Sequence, residues 1–360
     1  MRRSRRLFDE GWETALEGDY TASRRLVEDG LRIARRAART WPDELAVHMQ
    51  LQFGLMNLAD VHQRAEDYRL AVDAYNELDE RANALADRFP DVHVIRYDQA
   101  VAVLQRGTTH ERLEERSKAI ADFRRGQAIA EALTEIAPDA KHFETTLSFA
   151  LEKIGTFYFY EGEPGRALAY LEPALAIVRR YLAESPEDRQ LQSQVAHHLD
   201  RIAQALSSTG RVADARAAYD EALTILEAHL EEDPDSVPAR RAVSNTALRF
   251  FHILHLQRDW SVAARWMRRS LAINRSLAAG NASNDRYKAA LARSYQRLGI
   301  ALHGLHVHEE SEAMLAQSRQ ITAALVRHRP KDAERMREHL KTLWALADVL
   351  AAQDKLDDME

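Results

Sequence analysis

The stretch LEKIGTFYFYEGEPGRALAYLEPALAIVRRYLAESPE, residues 151–187, decides the architecture. Its first part sets Leu151, Ile154, Gly155 and Tyr158 at spacings of three, four and seven, which places them on one helix face. Gly162-Glu163 interrupts that pattern, and a second stripe follows, in which the small residue Ala167 precedes Leu171 by four positions. Pro186 ends the second helix, because proline carries no N–H and clashes with the preceding turn. The stretch reads as two antiparallel helices joined by a short turn.

This hairpin recurs with a period of 48. Leu151, Ile154, Gly155 and Tyr158 return as Leu199, Ile202, Ala203 and Leu206, and later as Tyr295, Leu298, Gly299 and Leu302. The position of Ala167 is always small: Ser23, Ala71, Ala119, Ala167, Ala215, Ala263, Ser311. Four residues on, the side chain is always large and apolar: Val27, Tyr75, Phe123, Leu171, Tyr219, Met267, Leu315. A third column reads Ile33, Arg81, Ile129, Ile177, Ile225, Ile273, Ile321, with Arg81 the exception. Prolines keep the same lattice at Pro42, Pro90, Pro138, Pro186, Pro234 and Pro330, and the missing node lies in the helix-breaking run Asn281-Ala282-Ser283-Asn284. Turns are expected at Gly18-Asp19, Glu66-Asp67, Gly162-Glu163, Gly210-Arg211 and Arg258-Asp259. Pro-Asp or Pro-Glu is expected to open each next helix, with proline in its first turn and the carboxylate on its dipole.

An internal repeat of this length predicts an all-α, right-handed superhelical solenoid of about seven antiparallel hairpins, each helix about 21 residues and about 30 Å long. The whole of 1–360 forms one array, with hairpins near 1–41, 42–89, 90–137, 138–185, 186–233, 234–281 and 282–329. Residues 330–353 cap the stack or begin an eighth repeat, and Asp354–Glu360 falls where its second helix would open. A cap and a fragment of a longer protein remain alternative readings of that end.

These residues resemble the tetratricopeptide repeat, whose pattern runs Trp-x2-Leu-Gly-x2-Tyr, then Ala-x3-Phe, then Pro, over 34 residues. Leu151, Ile154, Gly155, Tyr158, Ala167 and Leu171 match it with the family's internal spacing. The chain departs in length: Pro186 comes seven residues late, and Leu199 seven late again. Seven residues are two turns, so the apolar faces stay in phase. The chain looks like a long-helix variant, similar to arrays found beside kinase or nucleotide-switch ATPase domains in bacterial signalling proteins. The resemblance implies a concave groove lined by the first helices and a protein or peptide partner.

Composition narrows the function. With 46% apolar and 29% charged residues the chain is foldable, and a net charge of −6 argues against nucleic acid as partner. Cysteine is absent, so disulfides and thiol chemistry are excluded. The basic start Met1-Arg2-Arg3-Ser4-Arg5-Arg6 precedes no apolar run, so neither a signal peptide nor a membrane span is expected, and the location expected is cytoplasmic. No Gly-rich phosphate loop, Gly-x-Ser-x-Gly or His-Glu-x-x-His occurs, so no enzyme and no cofactor are expected. His252, His255 and His303 could converge on a metal, but ordinary helix-surface histidine is the stronger reading.

The face opposite the first-helix stripe carries the candidate site. One column is basic in four successive repeats, Lys153, Arg201, Arg249 and Arg297, with Arg293 one turn before the last. Aligned charges focus a field, and arginine forks suit carboxylates or phosphates. A second trend is apolar: Phe8, Phe53, Met56, Val101, Leu104 and Phe149 are expected on the exposed side of the earlier first helices. Thr156, Tyr160, Gln204 and Asn245 lie between and could hydrogen-bond an extended backbone. The expected function is a non-catalytic scaffold whose groove takes a peptide or helix with apolar and acidic portions. The alternative is a sensor or regulatory segment of a larger signalling protein. The match to the family's chaperone-tail clamp is partial (Asn245, Arg249, Arg293 and Arg297 have suitable types), so no chaperone client is inferred. Self-association through the apolar face is a further expectation.

Overall fold

The computed structural model describes residues 2–353, which form fifteen α-helices and, among the described residues, no strand. First helices of successive hairpins are α1 (Arg2–Leu16), α3 (Leu45–Arg64), α5 (His93–Arg112), α7 (Lys141–Tyr160), α9 (Arg189–Ser208), α11 (Val237–Leu256), α13 (Asp285–Gly304) and α15 (Ala333–Ala352). Second helices are α2 (Tyr20–Thr40), α4 (Tyr68–Arg88), α6 (Arg116–Ile136), α8 (Pro164–Glu184), α10 (Val212–Glu232), α12 (Trp260–Gly280) and α14 (His308–His328). The stretch Asp354–Glu360 lies outside the described residues. The chain divides into two compact units within α8, one ending at Tyr181 and the other starting at Leu182. In each, a helix packs on those before and after it, and first helices also touch one another, so each unit is a stack of helical hairpins.

The repeat columns become the packing. Ser23, Ala71, Ala119, Ala167, Ala215, Ala263 and Ser311 are all fully buried, and the large residues four positions later are buried with them. Where the first helix also offers glycine, the backbones come closer still: a methyl on Gly155 would meet Leu171 Cγ at 2.7 Å, and one on Gly299 would meet Leu315 Cγ at 2.6 Å. The serines at the small position satisfy their hydroxyls on the facing helix, Ser23 Oγ to Gly11 O and Ser311 Oγ to Gly299 O, each at 2.7 Å. The isoleucine column is mostly half-buried.

Each hairpin turn holds one left-handed residue on the same lattice: Gly18, Glu66, Glu114, Gly162, Gly210, Arg258 and His306. Around Glu66 the Glu66 N–H donates to Gln63 O at 3.1 Å and the Asp67 N–H to His62 O at 2.9 Å, a Schellman cap that satisfies the helix's last carbonyls. That geometry holds even at the four non-glycine positions, where the left-handed conformation costs about 1 kcal/mol.

One expectation is corrected. The lattice prolines do not open the next helix. Pro42 follows the C-cap residue Trp41 and precedes α3 by three residues, as Pro90, Pro138, Pro234 and Pro330 do in their own repeats. The residue before each proline is pushed out of the α region, with Trp41 at φ −127, ψ 70 and Phe89 at φ −126, ψ 65. Asn281 takes φ −145, ψ 80 before Ala282, so the proline-free node turns the same way. The residues that start the next helices are Asp188, Ser236, Asn284 and Asp332, whose side chains accept from the first-turn N–H groups of α9, α11, α13 and α15.

Candidate functional site: the first-helix face

The first-helix column expected to be free and cationic is engaged within the chain. In the unit ending at Tyr181, Lys153 lies 3.8 Å from Glu111 and 5.4 Å from the Phe149 ring centre. In the unit starting at Leu182, Arg249 Nε donates to Asp200 Oδ1 at 2.8 Å, and Gln204 Nε2 donates to the second oxygen at 3.0 Å. Asp200 is buried, so this pair fixes Arg249 to α9. Arg201 likewise has a partner in the chain. Arg297 donates to Leu248 O and lies over the Phe251 ring at 5.6 Å. Burial, then the neighbouring Arg293 and Arg249 charges, pull its pKa down to about 10.

Arg293 is different: among the described residues it makes no ion pair or side-chain hydrogen bond, and neither does Asn245. Both line a cleft of about 430 Å³ between α11, α13 and α15, together with two cations the sequence reading passed over, Arg241 and Arg286. These two belong to no basic column of the repeat, so periodicity alone gave them no weight. Asn245 also borders a second cavity of about 590 Å³, lined by Arg201, Arg249, Asp200 and His197 between α9 and α11. A third, of about 500 Å³, is lined by Phe251, Arg297, Lys341 and Trp344.

The apolar face expected on the earlier helices is not exposed. Phe8 and Leu104 are buried, and Phe53, Met56, Val101 and Phe149 are half-buried. Glycines make the room. The Phe8 ring sits where methyls on Gly30 and Gly54 would lie, and Leu104 fills the place of one on Gly126. A first helix in the stack meets second helices and other first helices, so its apolar arc is wider than one stripe. Thr156 is also buried, donating from Oγ1 to Glu152 Oε1 at 3.0 Å, while Tyr160 is exposed at the end of α7. The most exposed large apolar side chain described is Trp344, at 71%.

His252, His255 and His303 border one cavity but do not form a metal cage. No group of three or more His, Asp or Glu among the described residues is arranged to hold an ion. His255 instead packs edge-on against Trp260, with centroids 5.1 Å apart, and His303 Nδ1 faces His308 Nδ1 at 3.2 Å. Burial first, then neighbouring cations or histidines, lowers the pKa of both His255 and His303.

The feature that sequence reading missed altogether is ionic. In the unit ending at Tyr181, Arg106 forks onto Asp122 at 3.0 and 2.6 Å, and its remaining nitrogen reaches Asp79 at 3.0 Å and Asn76 at 2.8 Å. Gln99 and Arg125 also donate to Asp79, at 2.7 and 2.8 Å. The signal was present: Arg106 occupies the column of Ile154, Ile202, Phe250 and Leu298, and Asp79 that of Leu31, Leu175, Leu223 and Leu271.

Comparison with known proteins follows the same lines. The tetratricopeptide repeat sequence profile matches residues 195–235, the α9–α10 hairpin. No curated protein matches the chain by sequence. Among solved structures, BtubC (BKLC) from P. vanneervenii is similar with a TM-score of 0.53 at 19% identity, over 71% of this chain and 90% of that one. The apo form of the quorum sensor NprR from B. thuringiensis is similar with a TM-score of 0.51 at 11% identity, over 99% of this chain and 95% of that one. The S. pombe nuclear import adaptor Nro1 has a TM-score of 0.50 at 12% identity, over 74% and 91%. At these identities the likeness is one of fold. With the hairpin-internal spacing and the tetratricopeptide repeat match over 195–235, it shows a fold of the tetratricopeptide-like helical-repeat kind, here with a 48-residue period.

Proposed function

We propose that this chain is a non-catalytic scaffold for protein–protein recognition, and that the first-helix face of α9, α11, α13 and α15 takes a peptide or helix with an acidic portion. One observation carries the reading: three cavities open along these helices, and the cations Arg201, Arg249, Arg293 and Arg297 line them. The acidic portion meets Arg293 first, since Arg249 and Arg297 already hold partners. An apolar portion finds the exposed Trp344 at the mouth of its cavity rather than the buried Phe8 and Leu104. A net charge of −6 disfavours nucleic acid, and no described helix is long and apolar enough to cross a membrane.

A second reading is a sensor or regulatory segment of a signalling protein. Its support is the fold likeness to the quorum sensor NprR, which spans 99% of this chain. In this reading the same face takes a short peptide signal in place of a protein segment.

The test is affinity capture from native lysate with wild type and an Arg249→Glu/Arg293→Glu variant, followed by titration of the captured protein's acidic segment as a synthetic peptide. The scaffold reading expects a partner lost from the variant, and its segment to bind at least tenfold more weakly to the variant. A partner captured equally by both would move the interface off this face. Binding only of a peptide of a few residues, with no captured protein, would favour the sensor.

A further inference from the structure

We propose that the cleft between α11, α13 and α15 is a binding site for a small, multiply charged oxyanion, a metabolite carrying phosphoryl or several carboxylate groups. This goes beyond recognition of a protein segment, because the cleft is deeper than the first-helix face. It passes between hairpins to Asn274 and Leu277 of α12 and to Ser318, Thr322 and Leu325 of α14. The short side chains Ala289, Ala290 and Ala292 of α13 leave that passage open. Its volume of about 430 Å³ lies within the roughly 300–1,000 Å³ of small-molecule sites.

The charges of the lining are unevenly paired. Asp285 is held by Arg335 and His328, each at 3.0 Å. Asp332 binds Arg335 at 3.1 Å and caps α15, and Glu338 binds Lys341 at 2.7 Å. Arg241, Arg286 and Arg293 have no such partner among the described residues, and on the acidic side only Glu334 is left in the same state. Over the whole lining four arginines balance four carboxylates, but three of those guanidiniums are free of an ion pair while one carboxylate is, so the free hydrogen-bond donors of the cleft are mostly cationic and suit an oxyanion. Guanidinium forks bind oxyanions in a bidentate way, and they gain strength where water is partly excluded. The cost of leaving like charges together shows next door, where Arg293 is the foremost charged neighbour lowering the pKa of Arg297.

The floor is neutral and pre-ordered. Asn274 Nδ2 donates to Ser244 Oγ at 2.7 Å and Ser294 Oγ at 2.8 Å, and Ser318 Oγ donates to Ala292 O at 2.9 Å. These groups are buried and add no negative charge to repel an anion. An oxyanion held by Arg241 of α11 and by Arg286 and Arg293 of α13, above α15, would tie two hairpins and the last described helix together.

The test is isothermal titration calorimetry of the full chain with pyrophosphate and, separately, citrate, at matched ionic strength, with orthophosphate and sodium chloride as references. Saturable one-to-one binding of pyrophosphate or citrate, weakened at least tenfold in Arg286→Gln/Arg293→Gln and unchanged in Arg268→Gln, is expected. Preference for pyrophosphate assigns a phosphoryl ligand, and preference for citrate assigns a polycarboxylate. Arg241→Gln provides an independent variant if the double substitution disturbs the circular dichroism spectrum. Absence of saturable binding, or equal binding by wild type and the arginine variants, overturns the proposal. Either of those results leaves protein recognition standing, since that is decided by the capture experiment.

Discussion

The two compact units are built on one repeat but centre their buried polar groups on different chemistry. The unit ending at Tyr181 buries charge: Arg106 between Asp79 and Asp122, with Arg125 and Gln99 closing the ring. The unit starting at Leu182 buries one carboxylate, Asp200 against Arg249, but its largest buried polar cluster is neutral, Ser244, Ser270, Ser294 and Asn274, and Arg241, Arg286 and Arg293 stand without an ion pair at a cleft. Their helix starts differ in the same sense. Asp188, Ser236, Asn284 and Asp332 cap α9, α11, α13 and α15, whereas Glu44, Val92 and Ala140 offer α3, α5 and α7 no side-chain cap. One repeat therefore supports a unit with a three-member buried ion cluster and another in which side chains cap every described first helix.

The largest expected effect breaks that contrast at its centre. Arg106→Ala takes the only guanidinium from the buried Asp122 and leaves Asp79 to Arg125 and Gln99, and should cost about 3–5 kcal/mol in urea unfolding. The triple change Arg106→Ile, Asp79→Leu, Asp122→Ala restores the residues found at these positions in other repeats, and it should return stability to wild type or above. A triple variant as weak as Arg106→Ala would show that the ion pairs give more than apolar packing can replace.

A smaller effect depends on pH. Burial pushes the Asp98 carboxyl up to about 6, and no described residue partners it. The folded state thus holds this proton more tightly than the unfolded chain, so the group's contribution is favourable below about pH 4 and is lost as pH rises through about 6. Asp98→Asn should stabilise the protein on the order of 1 kcal/mol at pH 7 and little at pH 4. A gain that does not change with pH would assign the effect to shape rather than charge.

The smallest effect tests the helix starts. Asp188→Ala should cost about 1 kcal/mol, and Ala140→Asp should gain a few tenths to about 1 kcal/mol, both measured by denaturant titration. Equal and negligible changes would mean that tertiary packing, not capping, holds these ends.

Much of this was legible in advance, element by element. Ser23 through Ser311 and the large residues four positions on are buried as the period demands, and the turns fall at Gly18, Glu66, Gly162, Gly210 and Arg258. The lattice prolines were misplaced by one short segment, because proline's missing N–H is as harmless in a turn as in a first turn of helix. The candidate site was legible only in outline. Lys153, Arg201, Arg249 and Arg297 do share a column, but a column gives direction and not freedom. Asp200, Glu111 and Leu248 O come from other helices, and they take up three of these cations.

The sequence by itself determined the period, the two helices of each hairpin, their turns and the stripe that packs each hairpin together, because these follow from spacings of three, four and 48 along one chain. Only the tertiary structure decided which polar side chains are satisfied. It paired Arg106 with Asp79 and Asp122, closed Phe8 and Leu104 over glycines, and left Arg241, Arg286 and Arg293 unpaired around a cleft. The reason is physical: burial and periodicity are properties of one helix, while charge pairing depends on distances between helices that no single repeat encodes.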